Sequence, residues 1–337
     1  MLDRKPAGVV KYGIIGCGAI TKRYIDVFEN LKIACVAAVA DSDGAKSKAM
    51  AQCFNCLAYD DYHELLTNRD IDVVIIATPS GLHAQMALDS LGAGKHTVVE
   101  KPMAMTPEQA GAMINAARRA GRILTTVLNN RFLPASTFLK NTVDQGIMGR
   151  MLFGSACVHW YRPQRYYNEA AWRGTKLMDG GVLLNQAIHH LDLLLYYLGD
   201  VKQLQAYRAT LAHDIEVEDT AVAIVEFTSG AIGTINATTC AYPRNLEETV
   251  TVIGEKGSVI LGGPKLNGFR AWRVDGVSEP EVKEVPKWYG HYKVIEDVTL
   301  AIMEKREPLI KCEDGKKALD LIWSIMSNSK IKLNHNP

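Results

Sequence analysis

Short apolar runs and amphipathic helix patterns alternate through the first 128 residues, and this alternation restricts the chain to very few folds. The apolar runs lie at 12–15, 33–40, 73–77, 96–99 and 123–127. Helix patterns fill the intervals at 19–30, 43–52, 60–66, 84–91 and 107–120. Strands that are apolar throughout are typical of a parallel sheet covered on both faces. The sequence therefore predicts an α/β fold with a Rossmann-type, doubly wound parallel sheet.

From residue 129 onward the pattern changes to extended segments with no helices between them. Strands are predicted at 201–211, 220–228, 231–239, 247–253 and 258–261, with hairpin signals at Ser229-Gly230 and Lys256-Gly257. Helices are predicted at 182–198, 292–304 and 315–327. Neighbouring strands without intervening helices favour an antiparallel sheet. We therefore expect a nucleotide-binding domain over 1–128 and an α+β domain with a large, mostly antiparallel sheet over 129–337.

The bulk composition argues against nucleic acid and membranes as partners. Lysine and arginine number 38 against 37 aspartates and glutamates, so no excess charge attracts a polyanion. The longest apolar run, 33–40, has eight residues, which is too short to span a bilayer. The segment Met1-Leu2-Asp3-Arg4-Lys5-Pro6 lacks the apolar core of a secretory signal. We expect a soluble, cytoplasmic protein.

The seven cysteines are scattered, and their odd number does not suggest a disulfide framework. Cys53-Phe54-Asn55-Cys56 matches C-x-x-C, but no second pair or nearby histidine completes a zinc site. It also falls where a helix should give way to a strand. We expect reduced thiols that serve packing, and no metal.

A glycine turn and an acidic residue in the first half suggest a dinucleotide site. Gly16-Cys17-Gly18-Ala19-Ile20-Thr21 lies between the first strand and the first helix, whose amino terminus attracts a pyrophosphate. Thr21 stands where the usual fingerprint has Gly or Ala. Asp41 ends the second strand, 25 residues after Gly16, and is placed to accept hydrogen bonds from the adenosine ribose; a helix-capping Asp is the alternative. Because Ser42 and Asp43 follow rather than an arginine, NAD is favoured over NADP.

Two titratable residues are candidates for chemistry. Lys101, in Glu100-Lys101-Pro102, follows a core strand and should point from the carboxyl edge of the sheet into the cofactor crevice. In the predicted helix 182–198 a core stripe is formed by Leu184, Ile188, Leu191, Leu195 and Leu198. Asn185, His189 and Asp192 share the adjacent face. His190 is assigned a structural role, whereas the pairing with Lys101 favours a catalytic one for His189.

The chain resembles the glucose-fructose oxidoreductase, inositol dehydrogenase and MocA group. The resemblance rests on Gly16-Cys17-Gly18-Ala19-Ile20, Thr78-Pro79-Ser80-Gly81-Leu82-His83, Glu100-Lys101-Pro102 and the G-G-x-x-x-N-x-x-x-H stretch that ends at His189. It implies an amino-terminal NAD domain, an open-faced sheet used for oligomer contacts and a site in the cleft between the domains. It also implies that Thr78, Ser80, His83 and Glu100 lie near the nicotinamide, with capping or packing as the alternative role for His83. Asn130 and Arg131 would reach the cleft from the hinge, Asn130 on the cofactor side and Arg131 on the substrate side.

Asn185 stands where most of the group has Asp, and this resembles the branch of UDP-N-acetylglucosaminuronate 3-dehydrogenases. Segments 161–167, 171–175, 216–220 and 242–247 are similar to the same branch, although Lys176 replaces its usual Trp. Arginines among aromatic residues suit a diphosphate and a uracil ring, and a solvated basic loop is the alternative. The predicted substrate residues of this loop are Arg162, Arg165, Tyr166, Trp172 and Arg173.

Oxidation of a sugar alcohol by NAD requires a base and a group that stabilises the developing alkoxide. Neutral His189 is the better base, since its reference pKa lies near working pH. Lys101 would then bind the same oxygen, and Asn185, which takes no proton, would orient His189 or the sugar. We expect NAD-dependent oxidation at C3 of a UDP-linked N-acetylamino sugar or uronate by a homodimer or homotetramer. An inositol or hexose dehydrogenase and a non-catalytic NAD-sensing protein are the alternatives, and reoxidation of NADH by a 2-oxo acid stays open.

Overall fold

The computed structural model describes residues 8–263 and 266–333, and the amino-terminal segment without a signal pattern lies outside them. The described chain forms two compact units. The first contains the described residues up to Ala104, together with Glu108–Asn129 and Pro286–Gly315. The second contains Met105–Pro107, Asn130–Val285 and the residues from Lys316 onward. We had assigned 286–315 to the second domain; in the structure this segment belongs to the first unit. No helix in the described part is long and apolar enough to cross a bilayer.

The first unit is built on a six-stranded parallel sheet. Its strands are β1 (Val10–Ile15), β2 (Ala34–Ala40), β3 (Leu57–Tyr59), β4 (Val73–Ile76), β5 (His96–Val99) and β6 (Leu124–Thr126). Their order, β3-β2-β1-β4-β5-β6, reverses beside β1, which is the switch point where doubly wound sheets bind nucleotides. The helices that connect them are α1 (Thr21–Asn30), α2 (Gly44–Phe54), α3 (Tyr62–Thr67), α4 (His83–Gly92) and α5 (Pro107–Ala120). The predicted Rossmann fold is confirmed, and β3 is the strand that the sequence pattern missed.

The second unit contains an eight-stranded sheet. Its strands are β7 (Met151–His159), β8 (Val201–Thr210), β9 (Thr220–Phe227), β10 (Ile232–Thr238), β11 (Glu247–Gly254), β12 (Gly257–Gly262), β13 (Gly268–Val274) and β14 (Ser329–Leu333). The order is β13-β12-β11-β7-β10-β9-β8-β14, with parallel pairing at β7–β10 and β8–β14 and antiparallel pairing elsewhere. The predicted mostly antiparallel sheet is therefore confirmed.

The remaining helices are α6 (Pro134–Asp144), α7 (Gln164–Asn168), α8 (Ile188–Leu198), α9 (Tyr289–Glu304) and α10 (Cys312–Asn328). Helix α8 covers one face of the sheet: a Cβ on Gly154 of β7 would lie 2.2 Å from a methyl of Leu198. The five apolar residues predicted to form the core stripe of this segment, Leu184, Ile188, Leu191, Leu195 and Leu198, are all buried. The opposite sheet face leaves several large apolar side chains exposed, namely Tyr207, Val222, Ile224 and Ile232.

Candidate active site

The two glycines of the first turn have different tasks. Gly16 has φ of +98°, and a Cβ there would lie 2.6 Å from the carbonyl oxygen of Ala77 on the neighbouring strand end. Both the conformation and the close approach therefore require glycine. Apart from Gly18 itself and its two neighbours in sequence, no described residue has an atom within 4 Å of the position that a Cβ on Gly18 would take. Gly18 thus leaves the turn open to a ligand.

Thr21 holds this turn together although it departs from the usual fingerprint. Its hydroxyl donates a 2.6 Å hydrogen bond to the carbonyl oxygen of Gly16, and the side chain is buried. A residue with a side-chain donor therefore fixes the loop from within, and the Thr at this position is compatible with the dinucleotide turn.

The amino terminus of α1 is available for an anion. Among the described residues no side chain caps it, because Ala19 and Ile20 precede the helix and neither offers an acceptor. Helix α2 is capped by Asp43, which accepts from the backbone N–H of Ala45 and Lys46. A helix start with unsatisfied N–H groups and partial positive charge suits a pyrophosphate.

Asp41 lies beside the glycine turn at the end of β2. One carboxylate oxygen accepts the backbone N–H of Cys17 at 2.7 Å, and the other accepts that of Asp43 at 2.9 Å. The capping role that we kept as an alternative for Asp41 belongs to Asp43. A carboxylate has about four acceptor positions, so Asp41 retains capacity for the ribose hydroxyls. These features fit the adenosine half of NAD.

His83 is enclosed by backbone carbonyls. Its Nδ1 lies 2.7 Å from the carbonyl oxygen of Pro102, and its Nε2 lies 2.9 Å from that of Thr78. Burial lowers the pKa of the ring, although the two carbonyls oppose this. Thr78 is half-buried and Ser80 is buried beside it. The contacts of His83 support the packing alternative over direct cofactor binding: it ties the turn after β4 to the segment that follows Lys101.

Glu100 is likewise held inside the first unit. One of its oxygens accepts from the hydroxyl of Tyr24 at 2.8 Å and lies 3.4 Å from Nε2 of His291. Burial opposes ionisation, but the hydrogen bonds from His291 and Tyr24 and the charge of Lys101 outweigh it, and the pKa of Glu100 falls to about 2. We had placed Glu100 with the cofactor; these contacts show a buried carboxylate that links α1 and α9. Lys101 is half-buried at the carboxyl end of β5, as predicted.

In the second unit the segment that carries Asn185 and His189 starts irregularly. Residues Val182–Ala187 form π-helical turns before α8, where we had expected one continuous helix. Gly180 and Gly181 precede it with φ of +84° and +78°. A Cβ on Gly181 would lie 2.4 Å from a carboxylate oxygen of Glu218, so the glycine makes room for that side chain.

Asn185 contacts a carboxylate that sequence analysis missed. Its amide nitrogen donates to Asp179, which is buried and also accepts the backbone N–H of Gly174 at 2.7 Å. The oxygen of Asn185 accepts from the amide of Gln186 at 3.1 Å. The chain therefore has a carboxylate next to position 185 although residue 185 itself is neutral. The one sequence signal was an Asp directly before the glycine pair.

The residues around His189 on the predicted helix face divide into buried and half-buried ones. His189 is half-buried, whereas His190 is buried, and burial lowers the pKa of His190 to about 3, in keeping with its structural assignment. Asp192 is buried and accepts three hydrogen bonds from the guanidinium of Arg131, at 3.2, 2.9 and 2.6 Å. We had predicted that Arg131 binds substrate; in the structure its guanidinium is bound to this buried carboxylate, and its central carbon lies 4.5 Å from the ring centre of Tyr196. Asn130, which we assigned to the cofactor, is half-buried at the start of this unit.

Arginines and aromatic rings form a stack near Asn185. The guanidinium carbons of Arg173 and Arg162 lie 4.2 and 5.5 Å from the ring centre of Tyr166. Arg162 also donates to the side-chain oxygen of Gln186 at 2.9 Å, and Gln186 donates to the hydroxyl of Tyr166 at 3.2 Å. We call Arg162, Tyr166, Arg173 and Gln186 the arginine cluster. Two other residues of this loop were predicted to bind substrate. Trp172 is half-buried, and the guanidinium carbon of Arg173 lies 5.6 Å from the centre of its ring, whereas Arg165 is exposed.

Two groups of side chains in the second unit have metal-ligand types that the sequence analysis did not single out. Cys157, His159 and Glu247 form one of them on neighbouring strands. The sulfur of Cys157 lies 3.6 and 3.5 Å from the two ring nitrogens of His159, so neither nitrogen is directed at it alone. The second group is His213, Asp219 and Cys240. The Cys53–Cys56 pair belongs to neither group.

Comparisons with known proteins agree with these features. The family model described as "Oxidoreductase family, NAD-binding Rossmann fold" matches residues 10–127, and the one described as "GFO/IDH/MocA C-terminal domain" matches residues 137–260. The chain is similar to the WlbA dehydrogenase of Bordetella pertussis, solved with NADH and UDP-GlcNAcA, at 34% identity and a TM-score of 0.88 over 95% of this chain and 96% of that one.

Further relatives support the same assignment. The WlbA dehydrogenase of Chromobacterium violaceum, also solved with NADH and UDP-GlcNAcA, is 35% identical with a TM-score of 0.88 over 98% of this chain and 95% of that one. D-glucoside 3-dehydrogenase of Escherichia coli is 29% identical over 75% of this chain and 77% of its own length. The glycine turn, Asp41 and the uncapped α1 fit the NAD that this family binds. The chain therefore belongs to the GFO/IDH/MocA family and is an NAD-dependent dehydrogenase that acts on a CH–OH group.

Proposed function

We propose that this enzyme oxidises the C3 hydroxyl of a UDP-linked N-acetylamino sugar or its uronate. The observation that carries the proposal is the arginine cluster, in which the guanidinium carbons of Arg173 and Arg162 lie 4.2 and 5.5 Å from the centre of the Tyr166 ring, and Gln186 contacts Asn185. Guanidinium groups bind a diphosphate well and aromatic faces suit a uracil ring, and Arg173 in addition forms an ion pair with Glu169 at 2.9 Å. The likeness to two enzymes solved with UDP-GlcNAcA supports the same substrate class.

In the proposed oxidation of the alcohol, three side chains of the enzyme have separate roles. NAD, when bound, accepts the hydride that leaves the carbinol carbon. His189 takes the hydroxyl proton, because a neutral imidazole is a base suited to neutral pH. The Lys101 ammonium donates to the same oxygen and stabilises its developing charge. Asn185 orients His189 or the sugar through its amide, which Asp179 holds from behind.

Turnover of defined substrates tests the proposal. The purified enzyme is mixed with NAD and UDP-GlcNAcA, UDP-GlcNAc or myo-inositol, and NADH absorbance is followed while NMR locates the new keto group. We expect a UDP-sugar to be oxidised at C3. Loss of a general base or of alkoxide stabilisation typically costs about 10²- to 10⁴-fold, so Lys101→Ala and His189→Ala should lower kcat by that much without loss of NAD binding.

Arg162→Ala should raise KM for the UDP-sugar, whereas Arg150→Ala, an exposed arginine paired with Glu255, serves as the matched control. Oxidation of myo-inositol with both UDP-sugars inert would assign a polyol dehydrogenase instead, since a neutral polyol gives the arginines no diphosphate. Binding of NAD without turnover of any substrate would favour an NAD sensor. Addition of a 2-oxo acid to the reduced enzyme tests whether NADH is reoxidised in place.

A further inference from the structure

The segment between β8 and β9, Leu211–Asp219, contacts several separate parts of the second unit. We call it the brace loop. Its side chains and backbone reach the α7 region around Arg162, the turn around Gly174 and the start of the π-helical segment at Leu183. These are the same parts that carry the arginine cluster and Asn185.

His213 makes the contact with Arg162. The side chain is 6% exposed; Nδ1 lies 3.0 Å from a carboxylate oxygen of Asp219, and Nε2 lies 2.6 Å from the carbonyl oxygen of Arg162. An imidazolium satisfies both acceptors, since it donates from both nitrogens. Burial disfavours the charged ring, but the hydrogen bonds to Asp219, Cys240 and the Arg162 carbonyl outweigh it and raise the pKa of His213 to about 10.

The contacts of Asp219 favour this ion pair over a metal ion. Its carboxylate accepts the backbone N–H groups of Leu211, Ala212 and His213 at 2.8 to 3.2 Å, in addition to the imidazole. Its acceptor positions are therefore filled by donors of the brace loop itself. The Cys240 sulfur lies 4.0 Å from Nδ1 of His213, at the limit of a hydrogen bond to sulfur. A metal ion would have to displace these donors and the imidazole proton.

Other residues of the brace loop hold both ends of the arginine cluster. Asp214 and Gln164 exchange two hydrogen bonds: the Asp214 N–H donates to the Gln164 side chain at 2.9 Å, and the Gln164 amide donates back to the Asp214 carbonyl at 3.2 Å. The backbone N–H of Glu216 donates to the carbonyl oxygen of Gly174 at 2.9 Å, one residue after Arg173. The Glu216 carboxylate accepts the N–H of Lys176 at 2.9 Å.

We propose that His213 is a positioning residue for the UDP-sugar: with the rest of the brace loop it fixes the backbone that sets the distance between the Arg162 and Arg173 guanidinium groups. The inference rests on the proposed function, because it assigns those groups to the diphosphate. His213 touches neither substrate nor cofactor and acts through Arg162. Its loss therefore weakens binding of the nucleotide while the chemical step, which uses Lys101 and His189, continues.

Two substitutions of His213 separate its two contacts. In His213→Asn the amide nitrogen replaces Nδ1, so the contact with Asp219 is kept and the bridge to Arg162 is lost. In His213→Gln the amide replaces Nε2 and reaches the Arg162 carbonyl. His63→Asn is the matched control, since His63 is exposed and its Nδ1 lies 2.8 Å from Asp61 in the first unit.

The measurements are the Kd of UDP by titration calorimetry, and kcat and KM with UDP-GlcNAcA. A charge-assisted hydrogen bond corresponds to roughly a 10- to 100-fold change in an equilibrium constant. We expect His213→Asn to raise Kd and KM by that factor with kcat within about threefold. His213→Gln should recover most of the loss, and His63→Asn should match the wild type. Amide exchange of residues 160–167 should quicken in His213→Asn alone.

The outcomes separate this inference from the proposed function. If the wild type binds UDP and His213→Asn binds it equally well, or if kcat falls with KM unchanged, the inference is overturned while the substrate assignment stands. If the wild type neither binds UDP nor oxidises a UDP-sugar, the proposed function fails and the inference with it. Should His213→Asn not fold, Gln164→Ala removes the exchange with Asp214 and is expected to raise the Kd of UDP; an unchanged Kd there would equally overturn the inference.

Discussion

The side chain of Glu218 is buried and lies beside Leu183, at the start of the helical segment that carries Asn185 and His189. It is 3% exposed; one oxygen accepts the N–H of Leu183 at 3.3 Å, and the other lies 3.8 Å from a guanidinium nitrogen of Arg208. Burial raises the pKa of Glu218 to about 7; the charge of Asp179 adds to the shift, and the backbone donors and Arg208 oppose it. The raised pKa places the titration of Glu218 near neutral pH, next to the helix that carries the proposed base.

This pKa predicts a pH-dependent stability that Glu218→Gln removes. Between pH 4.5, the ordinary pKa, and about 7 the folded protein holds a proton that the unfolded chain has lost, so the free energy of unfolding falls as pH rises through this window. Glutamine does not titrate. The difference between variant and wild type should therefore grow in favour of the variant by roughly 3 kcal/mol from below pH 4.5 to pH 8.

Denaturant unfolding of both proteins across this pH range measures the difference, and Glu29→Gln, at an exposed position on α1, is the control. If Glu218→Gln and the wild type differ by the same free energy at every pH, Glu218 does not change its protonation in the folded protein over this range.

At the scale of single residues, the predictable positions were those in a motif. The glycine turn, Asp41 and Lys101 follow strands whose ends define the nucleotide crevice, so their places follow from the strand pattern. His213 and Glu218 follow no such strand pattern, and their partners lie far away in the sequence: His213 contacts the backbone carbonyl of Arg162, 51 residues away. The ion pair of Arg131 was likewise not predictable, since its partner Asp192 lies 61 residues later in the sequence.

At the scale of secondary structure, most of the first half was predictable because mainly apolar runs alternate there with helix patterns; the three-residue strand β3 was the exception. In the second half, strands β7, β13 and β14 were missed: β7 contains Gly154, Ser155 and Ala156, whose small side chains give weak strand signals. A glycine is required at position 154 because Leu198 of α8 packs closely against it. This requirement comes from tertiary packing, which a local sequence pattern does not reveal. The π-helical start before α8 was also missed, since an apolar repeat does not distinguish it from an ordinary helix turn.

Strand β9 is apolar on both faces although only one face is covered within the chain. Val222 and Ile224 point away from α8, Ile224 is 60% exposed, and Tyr207 and Ile232 extend the same exposed surface on β8 and β10. Contiguous exposed apolar surface on a sheet is typical of a protein interface. We propose that a second copy of the chain covers it, in a homodimer or homotetramer.

Ile224→Lys should shift the mass measured by light scattering toward that of the monomer, because a buried ammonium in the interface has no partner to pay for its desolvation. Leu57→Lys, a comparably exposed position on β3 of the first unit, should leave the mass unchanged. A wild-type protein that is monomeric at micromolar concentration, or an Ile224→Lys variant of unchanged mass, would contradict the assignment of this face.

At the scale of the whole molecule, the first unit is discontinuous in sequence. Pro286–Gly315 returns to it, and α9 packs against α1. The hydroxyls of Tyr12 and Thr299 are hydrogen-bonded at 2.8 Å, and Thr125 donates to the carbonyl oxygen of Ile310 at 2.7 Å. The sequence pattern placed this segment in the second domain because it follows the second set of strands, and strand and helix patterns carry no information about which earlier element a late helix joins.

A fragment of residues 8–129 should therefore be unstable on its own. It lacks α9, whose Ile295, Val298 and Ala301 are buried in the full chain. Burial of one large apolar side chain contributes about 1.5 to 3 kcal/mol. The loss of this helix therefore removes a sizeable part of a typical net stability of about 5 to 15 kcal/mol. A second fragment joins 8–129 to 286–315 through a short glycine-serine linker. The linker can be short because Gly290 approaches the carbonyl oxygen of Asn129 so closely that a Cβ would lie 2.7 Å from it. We expect cooperative thermal unfolding by circular dichroism for the joined fragment and none for 8–129. Equal cooperativity and equal Tm for the two would show that the parallel sheet folds without its late helix, and that the boundary near residue 128 marks an independent domain after all.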